Sequence, residues 1–199
     1  MKSSYFGLAA SVLISVTAPA VASKFPDGSF EDPQIDAGTQ QMVNVGGSIG
    51  PWKVVGQGDI ALIGADYSIG GLSLQAKNGV QFVNLAGDQH VQAGVEQTFT
   101  TVPGKQYLLW FRIGTAFSRA QGFGPNSTVI VTVDGASKGI FTVMGHPSGH
   151  DQTHVTWARA GIVFTAASSA TTIDFMNGDP PGDGFCGLDG LSLRRFHGP

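Results

Sequence analysis

The chain has 199 residues, with 11 Lys and Arg against 14 Asp and Glu, a formal net charge of −3, and only 13% charged residues. No basic cluster exists beyond Arg194-Arg195, which excludes the electrostatic footprint of a nucleic-acid partner. A single cysteine, Cys186, excludes an internal disulfide, so packing, or packing plus a metal, must hold the core.

The first 22 residues read as an export signal. Lys2 supplies the positive end, residues 6–16 the apolar stretch, and Ala20-Val21-Ala22 the small-x-small cleavage pattern. The run is shorter than the roughly 20 apolar residues of a membrane span and is broken by Pro19. Ser23, where a lipid anchor needs cysteine, leaves no stable membrane anchor in view. Residues 23–199 then form one expected domain, secreted to an extracellular, periplasmic or cell-wall location. Its length suffices to bury about two-thirds of the unfolded surface.

Along that domain, Gly, Thr, Ser and Val dominate, the profile of turn-rich β structure. Strands are predicted at 52–55, 59–63, 72–75, 81–85, 94–101, 106–113, 128–133, 139–143, 155–165, 171–175 and 188–194. Val129, Val131 and Val133 alternate with Ile130 and Thr132, and Ile173 and Phe175 with Thr172 and Asp174, the period of two of half-buried strands. Val102-Pro103-Gly104-Lys105 has type II turn chemistry, and Asp134-Gly135 invites a two-residue hairpin. These features specify an all-β, two-layer antiparallel β-sandwich. Residues 32–51, 116–127, 145–153 and 177–184 are expected as loops at its ends, where recognition usually resides.

Several patterns with chemical meaning weaken in context. Gly46-Gly47-Ser48-Ile49-Gly50 matches G-x-S-x-G, but Pro51-Trp52 and a strand follow where an esterase needs a helix. His146, His150 and His154 recur every four residues, yet Pro147, Ser148 and Gly149 forbid the helix that would align them as metal ligands. Cys186 reads as a small buried hydrophobe, with no activating partner evident even if His197 is considered. Asn126-Ser127-Thr128 is a glycosylation sequon, meaningful only in a eukaryotic secretory route. Asp179 and Asp183 share a Pro/Gly-rich loop and read as a solvated turn or weak calcium ligands rather than a glycosidase pair.

The two chain ends are more informative. Glu31 follows Phe30 in Phe25-Pro26-Asp27-Gly28-Ser29-Phe30-Glu31-Asp32-Pro33, and Asp189, on a regular strand, would share a face with Leu191 and Leu193. A core-facing carboxylate needs a partner. The two acids with main-chain carbonyls would suit Ca²⁺; alternatively Asp189 accepts main-chain amides and Glu31 is solvated. For a glycan, aromatic platforms and planar polar side chains are required. Trp52, Tyr67, His90, Gln92, Arg112, Phe117 and Phe123 are the candidates; the alternative reading places Trp52, Trp110 and Trp157 all in the core. Phe117 and Phe123 carry the most interest because they flank a polar loop.

Gly28-Ser29-Phe30-Glu31-Asp32-Pro33, Trp52-Lys53-Val54, Val83-Asn84-Leu85-Ala86-Gly87, Val95-Glu96-Gln97-Thr98-Phe99, Pro103-Gly104-Lys105-Gln106-Tyr107, Phe164-Thr165-Ala166 and Gly187-Leu188-Asp189 occur in an order that resembles domain-of-unknown-function family 642, of plant cell-wall and bacterial secreted proteins. The resemblance implies a galactose-binding-like jelly roll related to carbohydrate-binding modules, and association with cell-wall polysaccharide. It also implies a structural calcium at the positions of Glu31 and Asp189. One domain and one cysteine set the chain apart from the plant proteins, which puts their pectin-modifying enzyme partners in doubt. The expected function is a secreted, non-catalytic carbohydrate- or cell-wall-binding module. A structural surface protein making protein contacts is the alternative, and a glycan hydrolase the third reading.

Overall fold

Alternation of apolar and polar side chains decides which strands share the interior. The computed structural model describes residues 25–145 and 150–196. Its strands are β1 (Gln40–Asn44), β2 (Ser48–Ile49), β3 (Trp52–Gly56), β4 (Asp59–Ile63), β5 (Ser68–Ile69), β6 (Leu72–Ser73), β7 (Phe82–Asn84), β8 (Ala93–Thr100), β9 (Gln106–Thr115), β10 (Asn126–Val133), β11 (Ala136–Met144), β12 (Thr156–Thr165), β13 (Ala170–Asn177) and β14 (Gly187–Arg195). One antiparallel sheet runs β1-β4-β7-β14-β9-β12 and the facing sheet β11-β10-β13-β8-β3-β2, with β5 and β6 as a separate hairpin. The chain is therefore an all-β two-layer sandwich, as the alternation predicts.

The turns form as their chemistry requires. Asp134 and Gly135 both take positive φ (51° and 74°), joining β10 to β11 in a two-residue hairpin. Gly104 has φ 73°, and Lys105 N–H donates to the Val102 carbonyl at 3.1 Å, closing the type II turn.

The core lies between the sheets around Trp52, which is 0% exposed and touches Phe25, Phe30 and Phe175 with ring centroids 5.3, 5.4 and 6.1 Å away. Its indole Nε1 donates to the Asp27 carbonyl at 2.8 Å, and Leu191 N–H donates to the Gly28 carbonyl at 2.7 Å. The start of the domain is thus fastened to its last strand. A second apolar cluster sits on the opposite side of the first sheet. There the segment carrying β5 and β6 lays Leu72 and Leu74 over Ala61, Ile63, Phe82 and Phe185. This double cover explains why all five residues of β4 are buried and why Ile60–Ile63 reads as a continuous apolar run.

Two expectations are corrected. Residues 32–51 are not loop throughout: β1 pairs with β4, and β2 with β3. As the edge strand of its sheet, β1 is largely exposed, so it carries no alternating apolar signal. Nor is β14 regular. Its pairing with β9 shifts between Asp189 and Ser192, and Gly190 takes φ 59°. That bulge changes side-chain parity: Leu188, Leu191 and Leu193 all reach the main core, while Asp189 faces the other side with its register partner Arg112.

Candidate functional site

Four loops and the β5–β6 hairpin meet at one end of the sandwich. Gly182 N–H donates to the His90 carbonyl (3.1 Å), Gly184 N–H to the Gly122 carbonyl (3.1 Å), and Gly124 N–H to Asp183 Oδ1 (2.8 Å). Ser73 N–H donates to the Thr153 carbonyl (2.9 Å), while Gln152 accepts Phe117 N–H on Oε1 at 2.7 Å. A one-turn 3-10 helix, Arg119–Gln121, lies inside the 116–127 segment and puts Gln121 against Gly70 of the hairpin. Loops cross-linked through main-chain groups form a pre-shaped surface rather than a set of independent tips.

This end collects four of the seven candidate ligand contacts. Phe123 is half-buried, leaning on Phe185 with centroids 5.3 Å apart. Phe117 is half-buried, with the Arg119 guanidinium 5.1 Å from its ring centre. Tyr67 packs on the second apolar cluster, and burial together with nearby Asp88 raises its phenol above the ordinary value of 10.0. His90 sits beside Phe123: a Cβ at Gly184 would come 3.0 Å from His90 Nε2 and 2.9 Å from Phe123 Cδ1. Gln92 is exposed, and its carbonyl accepts Gln57 N–H beside β3, outside this cluster. Arg112 lies elsewhere, on the outer face of β9 in a depression with Trp110. Trp52 is core. His150 and His154 are exposed, and His146 and His197 lie outside the described residues, as do residues 1–22.

Asp179 departs from the expected solvated turn. It is 3% exposed, and neither carboxylate oxygen has a hydrogen-bond partner. Burial first, and Asp183 second, push it up to about 7; the Thr128 hydroxyl and Cys186 thiol lie near enough to soften the shift without hydrogen bonds of good geometry. Asp183 is half-buried and also raised, chiefly by burial, with Gly124 and Phe185 N–H groups opposing. Cys186 is fully buried, and burial raises its thiol well above the ordinary value, which leaves it inert.

Glu31 and Asp189 converge on residues 77–81. Asp189, 0% exposed, accepts Lys77 and Asn78 N–H on Oδ2, each at 2.7 Å, and Gly190 N–H on Oδ1. Glu31 Oε1 accepts Val80 and Gln81 N–H at 2.9 and 3.0 Å. Burial, with Glu31 contributing, raises Asp189 to about 7 despite those three donors. Neighbouring carboxylates suit a divalent cation in charge, while the N–H donors already satisfy several of their lone pairs. Among the described residues no group of three or more His, Cys, Asp and Glu converges as metal ligands, so further oxygens would have to come from carbonyls or water. No described helix is long and apolar enough to cross a membrane.

Sequence reasoning missed Trp110 as a surface residue, along with Lys77 and Arg159 beside it. Trp110 lies in the continuous apolar run Tyr107-Leu108-Leu109-Trp110-Phe111, where no alternation separates outer face from core.

The family model described as "Protein of unknown function (DUF642)" matches residues 23–192, and the chain belongs to that family. No curated protein matches the sequence. Among solved structures, the family 35 carbohydrate binding module from Clostridium thermocellum is 18% identical with a TM-score of 0.48, over 78% of this chain and 97% of that one. The CBM22-1 xylan-binding domain from Paenibacillus barcinonensis Xyn10C is 12% identical with a TM-score of 0.48, over 83% and 99%. Arabinose-bound MgGH51 α-L-arabinofuranosidase is 12% identical with a TM-score of 0.52, over 87% of this chain but 26% of that one. The likeness is one of fold, a jelly roll of the galactose-binding-like type, and the chemistry has to be argued from the site.

Proposed function

We propose, from that family membership and the loop-end geometry, that this chain is a secreted, non-catalytic carbohydrate-binding module. The observation that carries the reading is the gathering of half-buried Tyr67, Phe117 and Phe123 on cross-linked loops beside His90, Gln121 and Asp183. Aromatic faces held by packing accept the C–H face of a sugar, and planar polar groups around them orient its hydroxyls. Asp179, the loop acid with a value near neutrality, is sealed from solvent, which places it out of reach of a glycosidic oxygen and supports binding over hydrolysis.

Calcium at Glu31 and Asp189 is the second part of the proposal, supported by their proximity and by the resemblance of their motifs. Its test is thermal melting with EDTA and with added Ca²⁺. A rise in Tm with Ca²⁺ that Asp189→Ala abolishes supports it; an unchanged Tm removes the metal and leaves the sugar reading in place.

A protein-contact role is favoured by Ile140 and Met144, 67% and 76% exposed on edge strand β11. A glycan-array and polysaccharide pull-down screen separates the two. Selective glycan binding that the double variant Phe117→Ala/Phe123→Ala weakens at least about tenfold supports the module. Folded protein that binds no glycan transfers support to the protein-contact role.

A further inference from the structure

The outer face of the first sheet carries a feature that sandwich stability does not require. Arg112 of β9 and Arg159 of β12 stand directly opposite each other in register, so both side chains leave the same face. Like charges placed opposite on neighbouring strands are destabilising. Lys77 lines the same depression, with Trp110, Asn78, Gly190 and Ser192. This chain of net charge −3 has 11 Lys and Arg, and three of them share one pocket.

Among the described residues none of the three makes an ion pair; the pairs that do form are Lys53–Glu96 and Arg119–Asp151, elsewhere. The one acid in register with Arg112 is Asp189, buried beneath the main chain of Lys77 and Asn78 with its oxygens turned to three N–H donors. The Arg159 guanidinium carbon lies over the Trp110 ring, 3.9 Å from its centre. A cation–π contact of this kind restrains the guanidinium in advance of binding, and a guanidinium suits a bidentate oxyanion.

The cavity is about 330 Å³, at the low end for a small-molecule site. Asn78 and Ser192 also line a neighbouring depression of about 500 Å³ with Pro26, Asp27 and Gly28. The surface thus continues past the cations into a mixed depression, where the apolar groups of Phe25, Pro26, Leu191 and Leu193 stand beside Ser29, Asn78 and Ser192, a lining that suits the C–H faces and hydroxyls of a chain of sugars better than an isolated ion.

We infer that the Lys77–Arg112–Arg159 pocket binds the anionic group of an acidic polysaccharide, a sugar unit bearing carboxylate or sulfate, on a surface separate from the loop-end aromatics. The inference rests on the carbohydrate-binding reading for its sugar and on the three cations for its charge. Polygalacturonate and dextran sulfate are the two probes of charged glycan, unsubstituted dextran is the neutral one, and polyglutamate and inorganic sulfate control for charge alone.

Binding is measured by calorimetry and affinity electrophoresis for the parent, Arg112→Gln/Arg159→Gln, Lys138→Gln and Phe117→Ala/Phe123→Ala, with Tm confirming folding. The expected result is binding of one charged glycan over dextran and polyglutamate, weakened at least about tenfold in the double arginine variant. Lys138→Gln, an exposed cation on β11, should stay within about twofold. Whichever of polygalacturonate or dextran sulfate binds more tightly identifies the anion. Equal binding of polyglutamate, equal loss in Lys138→Gln, binding of inorganic sulfate alone, or no loss in the double arginine variant overturns the inference. Neutral-glycan binding lost only in the Phe117/Phe123 variant, with no charged glycan bound, overturns the inference and leaves the proposed function standing. Charged-glycan binding that depends on the arginines and is indifferent to the phenylalanines supports the inference, and if no glycan then depends on the phenylalanines it overturns the loop-end site.

Discussion

Asp179 and Asp189 both titrate near 7, yet replacing them should have opposite consequences. Asp179 has no hydrogen-bond donor on either oxygen, so its charged form is the unfavourable one. Its folded value, about 7, stands above the ordinary 3.8, so the folded chain holds the proton more tightly than the unfolded chain. Stability is therefore unpenalised below pH about 4, falls as pH rises, and is fully penalised above about 7. Roughly three pH units at about 1.4 kcal/mol each set a ceiling near 4 kcal/mol. With the Thr128 hydroxyl near and part of the repulsion shared with Asp183, about 2 kcal/mol is the expected size. Asp179→Asn cannot ionise, and its own amide cost is the same at every pH. Its stability relative to the parent should then improve by about 2 kcal/mol between pH 4.5 and pH 8, or about 4–8 °C in Tm. Urea unfolding at the two pH values measures this directly. A difference between variant and parent that does not change with pH would refute the reasoning.

Asp189→Asn should instead lose about 2–4 kcal/mol at pH 8, because an amide NH₂ replaces an acceptor facing main-chain N–H groups; a Tm equal to the parent's counts against the clamp. Gly28→Ala puts a Cβ into the Leu191 carbonyl and should cost a similar amount, measured by the same melt. Gly184→Ala crowds His90 and Phe123 and should reduce glycan affinity more than it reduces Tm; equal binding would detach those side chains from the site. Cys186 should resist iodoacetamide in the native protein and react once urea unfolds it, and rapid native labelling would contradict its burial.

The fold was legible where side chains alternate against a core. All eleven predicted strands have counterparts: Val, Ile, Thr and Phe at period two mark strands such as β10 and β13, a continuous apolar run marks doubly covered β4, and the Asp134-Gly135 and Pro103-Gly104 turns follow from which residues tolerate positive φ. Edge strand β1 escaped because Gln40, Gln41 and Asn44 are exposed and pair through main-chain groups that no side-chain pattern marks. The candidate site was legible in part. Phe117 and Phe123 stood out as aromatics in a polar loop, and Glu31 and Asp189 as acids beside apolar residues. Their convergence on residues 77–81, and the face Asp189 occupies, depend on the bulge at Gly190, which glycine content alone does not locate. The Trp110–Arg112–Arg159 grouping rests on the β9–β12 register, a long-range property invisible to local spacing.

The central claim, that the loop end of this sandwich binds carbohydrate, is tested most directly by one glycan-array screen of the folded protein run beside its Phe117→Ala/Phe123→Ala variant. Selective binding by the parent that the variant loses is the predicted result. No glycan bound by the parent, or the same binding profile in both proteins, would contradict it.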